Sequence, residues 1–445
     1  MSILPQPFLF AWENVERSAP ILRMRRALDA MPDEILLKAL EARRKGRRDD
    51  YPLRCMWRAT LAAAMIGYAR TSDLIAELQR NGELRDICGF DPLRGETAVP
   101  SPYAFCRFYA LLEAHMDLIA EISKQAVEQL GELLEDMGQD LAVDSKALLV
   151  AGARPADADT GTKTYESADK EGNVRQVVQH WFGYKLHALI DARYELPLAW
   201  KVTEASAADS PELMPLVKQW REAHPELAAR TKSVSADRAY DDGADKARLW
   251  DKYGIVPLIP PRDCFSHTGE PYKALDPTRH DTIYIGPRGE ILCHIKPFES
   301  ERAEAFVEMQ YMGFEKDRET LKFRCPAAAY GMECKNRDAC RCSFRVKNGT
   351  YGRVVRVPLD RDRRLLLPVH TQSRNFREGY KRRTSVERLF SRLDNLQGME
   401  WALVRSRRRM DLRVTLILLT MQTTALAWIK EGQAERIRTL LSSVA

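Results

Sequence analysis

Apolar positions change their rhythm three times along the chain. From residue 1 to 139 Ala, Leu, Met and Glu dominate. In the stretch after Asp117, Leu118, Ile119, Ile122, Ala126, Leu130 and Leu133 or Leu134 recur at helical spacing. This part is expected to be all helical, with a loop at DPLRGETAVPSP. Near Asp140 the texture turns to short apolar runs. LAVDSKALLV reads as a buried strand, and WFGYKLHALIDA and LPLAWKVT as two more, joined by a turn at ARYE. The polar stretch ARPADADTGTKTYESADKEGN between them reads as a loop. Pro211 to Ala223 is expected to be a helix capped by Asp209 or Ser210. SVSAD gives a fourth strand with its Asp at the carboxyl end, Asp242 to Tyr253 a helix, and IVPLIP a fifth strand. From Pro260 to about Arg377 the pattern breaks into Cys, Pro and β-like pieces such as DTIYIG and VEMQYMGF. Tyr380 to Leu396 is helical again, and Asp411 to Arg436 supplies one or two closing helices.

The order is a helical block, then strands with helices, an irregular insert and closing helices. It predicts an α/β fold in four parts. Residues 1–139 are a helical N-terminal domain and 140–259 the first part of a sheet-based core. Residues 260–378 are an insertion and 379–445 the helices that complete the core. At 445 residues there is ample length for a large core. The stretch from Val414 to Ile429 is broken by Thr415, Thr420, Gln422, Thr423 and Thr424, so it reads as a buried helix rather than a span. The opening MSILPQPFLFAW has no basic leader pattern, and a cytoplasmic, membrane-free location is expected.

Net charge is only +6, but its distribution is uneven. Between Arg341 and Met410 there are 19 Lys and Arg against 6 Asp and Glu, so the remainder of the chain is net negative. A block of that kind is an electrostatic footprint for phosphates, with a solvated ion-paired surface as the plain alternative. The run EARRKGRR at 41–48 is a second candidate for phosphate contact.

Two carboxylates stand out. Asp144 lies inside an apolar strand, where a lone charge is costly unless something compensates it. Asp237 ends another apolar strand, at the edge where α/β sheets present side chains to a crevice. With Glu387 in the basic helix GYKRRTSVERLFSRLD they could hold two divalent cations through hard oxygen ligands. The plain alternative is loop-capping aspartates and a surface glutamate. His187 and Asp191 read as structural, and Asp241 and Asp242 as helix-start residues.

Of nine cysteines, Cys55, Cys88 and Cys106 read as small buried hydrophobes, and six cluster between 264 and 342. Cys293, Cys325, Cys334 and Cys340 are the best candidate ligands for a structural Zn²⁺. Cys342 or His294 could replace one, and reduced thiols packed in a small β-rich insert are the alternative.

The contexts AVDSKAL, GYKLHALID, SADRAYDD and RRTSVERLFSRL resemble DDE-type bacterial insertion-sequence transposases with a ribonuclease-H-like catalytic domain. CGFDP and VPSPYAFCRFY resemble the helical part that precedes that core. The resemblance implies a mixed sheet flanked by helices, and Asp144, Asp237 and Glu387 as catalytic ligands of Mg²⁺ or Mn²⁺. It implies Mg²⁺-dependent nicking at terminal inverted repeats, strand transfer into target DNA, and a homodimer assembled on double-stranded DNA. It also implies DNA contact by Tyr380 and Arg383, which share a sector of about 60° with Glu387 at about 100° per helical residue. The family pattern continues to a Lys at position 394, where this chain has Asp394. A decayed transposase that only binds DNA, or a nuclease of the same fold, are the alternative functions.

Overall fold

The computed structural model describes residues 18–43, 51–168, 174–262, 265, 271–276, 282–295, 305–331, 351–399 and 403–438. Seven α-helices come first: α1 (Ala19–Asp29), α2 (Glu34–Arg43), α3 (Leu53–Ile66), α4 (Thr71–Arg80), α5 (Gly82–Cys88), α6 (Pro102–Glu113) and α7 (Met116–Leu133). The periodicity of the last is borne out. Ile119, Ile122, Ala126 and Leu130 are buried, as is Leu134 beyond its end, while Leu133 is exposed. Cys55 and Cys88 are buried, but Cys106 is exposed, against expectation.

The chain then enters a six-stranded mixed sheet. β1 (Asp140–Leu149), β2 (Asp159–Ala168), β3 (Val174–Asp191) and β4 (Leu196–Glu204) are followed by β5 (Ser233–Ala236) and β6 (Val256–Leu258). The order is β2-β3-β1-β5-β6, with β4 also paired to β3. β3 runs antiparallel to its three neighbours, whereas β1, β5 and β6 run parallel.

Two boundaries differ from the sequence pattern. β2 was expected to be loop, and β3 begins seven residues before the apolar run at Trp181. The cause is tertiary. Together β2 and the first half of β3 form a two-stranded ribbon whose described side chains are mostly exposed, so no apolar alternation marks it. Gly183, at φ 151°, sits where β3 changes neighbours, and a Cβ there would lie 2.1 Å from the Leu148 carbonyl oxygen.

Helices cover both faces of the sheet. α8 (Leu213–Ala223), the short α9 (Pro225–Ala228) and α10 (Gly243–Tyr253) pack with Leu141, Val143 and Val234 on one face. Neither Asp209 nor Ser210 caps α8. A 3-10 turn over Ser210–Glu212 precedes the helix, and Asp209 makes no side-chain cap. The opposite face, with Ala142, Leu148, Leu186 and Ala188, packs against two late helices, α13 (Thr384–Gln397) and α14 (Arg407–Lys430).

Between β6 and these helices lie two small sheets with their own hydrophobic cluster, including Ile283, Ile291, Leu321, Phe323 and Val357. One contains β7 (Lys273–Ala274), β8 (Ile283–Ile285), β9 (Ile291–Ile295) and β10 (Ala305–Glu308). The other contains β11 (Gln310–Glu315), β12 (Thr320–Arg324) and β13 (Val354–Pro358). A short helix, α11 (Pro326–Tyr330), follows β12. The VEMQYMGF piece is thus two strands broken at Met309.

α14 is long and apolar enough to cross a membrane, but most of it is buried in protein. Its residues join the cores of the helical region and of both sheet faces. Polar side chains are satisfied there: Gln422 accepts from Ser123 and donates to the Pro197 carbonyl, and Thr415 accepts from Trp200.

Candidate active site

Asp144 sits mid-strand on β1 and Asp237 one residue beyond β5. The two strands are parallel and their last paired positions are Val143 and Ala236. The two aspartates are therefore the next neighbours across the ladder, with backbones about 4.8 Å apart. Burial raises both carboxyls above the usual range. Asp144 is pushed up to about 6 by burial and then by the charge of Asp237. Asp237 is raised by burial, with Asp209 adding to the effect. The Ser145 N–H donates to one Asp144 oxygen and the Ala239 N–H to one Asp237 oxygen.

Glu387 comes from the first turn of α13. The expected single helix is segmented: α12 (Arg374–Tyr380), a 3-10 turn over Lys381–Arg383, then α13. The turn keeps helical backbone angles, so the shared face survives. Arg383 bridges the site, with one terminal nitrogen 3.0 Å from an Asp144 oxygen and the other 2.7 Å from Glu387. Its guanidinium lies 5.7 Å from the centre of the Tyr380 ring, which stacks on Phe376. Arg382 pairs with Asp140, the first residue of β1.

Among the described residues, no three His, Cys, Asp or Glu side chains already converge on one cation position. The donor set still fits a hard divalent cation. It consists of carboxylate oxygens, and burial penalises the charged form of two of them, a penalty that a bound cation would relieve.

Several neighbours escaped the sequence reading. Lys146, two residues beyond Asp144, pairs with Asp394 at 2.5 Å, so the acid at 394 faces a cation from β1. Lys163, exposed on β2, bears electrostatically on Asp144 and Asp237. Tyr240 is fully buried beside Asp209, Asp144 and Asp237, its hydroxyl held well above the usual range chiefly by burial. Glu195, buried in the β3–β4 turn, receives Arg388 and Arg392 of α13, each at 2.6 Å. Only Lys146 carried a signal, as a charge inside an apolar strand.

The residues read as structural behave so. His187 is fully buried, its Nε2 lies 3.0 Å from the Thr203 hydroxyl, and burial lowers its pKa to about 4. Asp191 accepts from the N–H groups of Gly138, Arg193 and Tyr194. Asp242 caps α10 through the Asp245 N–H, but Asp241 does not. It forms a buried ion pair with Lys246 at 2.5 Å and with Arg364 at 2.7 Å.

Of the candidate zinc ligands, Cys293 lies on β9 of one small sheet and Cys325 just beyond β12 of the other, at the start of α11. Cys334, Cys340 and Cys342 lie outside the described residues. Most of the 41–48 run does too, although Arg43 at its edge reaches His115 at 2.9 Å.

A helix-covered mixed sheet with paired carboxylates on its central parallel strands is a frame suited to phosphodiester chemistry. The family model described as the transposase DDE domain matches residues 136–422, and one described as a transposase domain (DUF772) matches residues 12–111. The chain belongs to the DDE transposase family, and its function is DNA transposition. A solved piggyBac transposase synaptic complex with hairpin DNA is similar over 95% of this chain and 79% of that one, at 10% identity and a TM-score of 0.36. That likeness is too slight to bear on mechanism. No curated protein matches.

Proposed function

We propose that this transposase, of the insertion-sequence type, nicks DNA at its terminal inverted repeats and joins the freed 3′ ends to target DNA. Its catalytic carboxylates are Asp144, Asp237 and Glu387. The observation that carries the reading is the parallel register of β1 and β5, which makes Asp144 and Asp237 neighbours, with Glu387 tied to the pair through Arg383. The strand order β4-β3-β1-β5-β6, with helices on both faces, favours a ribonuclease-H-like core interrupted by the 260–378 insertion. Residues 1–139 would be the helical N-terminal domain and 379–445 the closing part of the core.

Two Mg²⁺ or Mn²⁺ ions held by these carboxylates would supply Lewis acidity toward the attacking and leaving oxygens of an in-line displacement. Asp144 and Asp237 fix the position of that charge from a rigid sheet. Glu387 closes the site from α13. Arg383 and Tyr380 grip DNA phosphates beside it, so catalysis rests on positioning and charge neutralisation. Two element ends must be brought together, which favours a homodimer on DNA. Because the substrate is DNA, we assign the protein to the bacterial cytoplasm, with the nucleoid. A structural Zn²⁺ on Cys293, Cys325, Cys334 and Cys340 would brace the insertion.

The test is incubation with DNA from the ends of its own element in Mg²⁺. Wild type nicks and joins. Asp144→Ala, Asp237→Ala and Glu387→Ala each bind the DNA but cut it at least about 100-fold more slowly. Binding without cleavage by wild type would sink the catalytic reading. Normal cleavage by any of the three variants would sink that residue's assignment.

A further inference from the structure

The ion pair between Lys146 and Asp394 joins β1 to α13 beside the proposed active site but involves no carboxylate of the proposed metal site. Side chains alternate along a strand, so Asp144 and Lys146 point to the same face of β1, about 6.6 Å apart along it. Both meet α13 or the turn before it: Asp144 through Arg383, and Lys146 through Asp394. The pair is largely covered. Lys146 is 13% exposed and Asp394 30%, and the free oxygen of Asp394 is buried without a hydrogen-bond partner.

Both Glu195 side-chain oxygens receive an arginine of α13, and its backbone carbonyl receives Arg392 as well. That is an ion pair built to hold α13. The single contact of Asp394 satisfies half a carboxylate, and half-satisfied buried pairs are poor sources of stability. A lysine is a compact charge on a long flexible stem, well suited to changing partners. A DNA strand whose scissile phosphate sits over Asp144 and Asp237 would pass within one or two nucleotides of Lys146, at roughly 3.4 Å of rise each.

We propose that Lys146 is a DNA-backbone contact of the active site and that Asp394 is its counter-ion in the DNA-free protein. This rests on the site assignment made under Proposed function. Binding of DNA exchanges a carboxylate for a phosphate at the same ammonium, and Asp394 opposes that exchange. The two residues therefore act on DNA affinity with opposite signs, although a purely structural pair would make them fail together.

The test is equilibrium binding of element-end DNA in EDTA across a salt series, together with nicking in Mg²⁺ and a thermal melt of each variant. Lys146→Met keeps most of the apolar stem, and Asp394→Asn keeps the shape. Lys218, exposed on α8 across the sheet, gives the control Lys218→Met. Lys146→Met is expected to weaken binding by about 3- to 10-fold and lower the slope of log affinity against log salt by about one. Asp394→Asn is expected to tighten binding, while Lys218→Met leaves both quantities unchanged. Weaker binding by both variants of the pair, with an unchanged salt slope and parallel losses in the melt, would overturn the proposal. If Lys146→Met does not fold, Asp394→Asn decides alone: tighter binding supports the exchange and weaker binding refutes it. Failure of the site assignment itself looks different, since wild type would then bind without nicking.

Discussion

At the scale of single residues, burial sets Asp144 apart from an ordinary carboxyl. Its carboxyl is mostly buried and titrates near 6 instead of near 4. The folded chain thus holds this proton more tightly than the unfolded chain. Between about pH 4 and 6 the native state carries more protons, and stability falls as pH rises through that window. By pH 8 the penalty is on the order of 3 kcal/mol, with the attraction of Arg383 already counted in it. Asp144→Asn is expected to melt higher than wild type in metal-free buffer at pH 8 and to lose that advantage at pH 4. Added Mg²⁺ should stabilise wild type and not the variant. A melt in which the variant is the less stable at pH 8 contradicts this account. Asp144 was legible as chemistry because a charge in an apolar run has no cheap structural explanation. Glu195 was not, because a glutamate in a turn looks solvated until the turn is packed under α13 and buried to 2% exposure.

At the scale of elements, α13 decides whether Glu387 lies beside Asp144. It rests on the sheet through Val386, Leu389 and Leu393 and is clamped by Arg388 and Arg392 on Glu195. Glu195 itself holds φ at 58°, uncommon for a residue with a side chain, and the packed turn sustains it. Glu195→Ala would leave two arginines facing each other, at a cost of about 3 kcal/mol. The rotation of α13 would also loosen. Nicking is expected to fall further than DNA affinity, measured as turnover at saturating DNA against equilibrium binding. Equal losses in both would show that the clamp is not orienting Glu387. The helix containing Glu387 could be read from its spacing. Its break into α12, a turn and α13 could not, because Tyr380, Lys381, Arg383 and Thr384 all keep helical angles. β2 was hidden for the opposite reason: a ribbon exposed on both faces has no hydrophobic face to reveal it.

At the scale of the molecule, the segment between β6 and α12 is tied to the sheet beside Asp237. Asp241, four residues on, is buried against Lys246, receives Arg364 from that segment, and accepts the backbone N–H of Arg262. Removing the carboxylate takes the shared anion from between the buried Lys246 and the half-buried Arg364. Asp241→Ala is expected to cost about 3–5 kcal/mol. It should also open the 260–378 segment to limited proteolysis before the sheet unfolds. Simultaneous loss of both in a protease time course would mean that the two fold as one unit. The basic block of 341–410 also changes meaning at this scale. Arg356, Arg363, Arg364, Arg388, Arg392 and Arg409 are engaged with acids elsewhere in the chain. Part of what composition presents as a phosphate footprint is internal bracing.

What the sequence determined by itself was local: helical and strand rhythm, the apolar setting of Asp144, the strand-end position of Asp237, and motifs specific enough to indicate the family. These follow from short-range periodicity and from the cost of burying charge. What only the tertiary structure decided was pairing. The register of β1 on β5 brings two aspartates together across 93 residues of chain. The packing of α13 then places Arg383 between Asp144 and Glu387 and sets Lys146 against Asp394. Such contacts depend on long-range closure of the chain, which no local pattern of polar and apolar residues encodes.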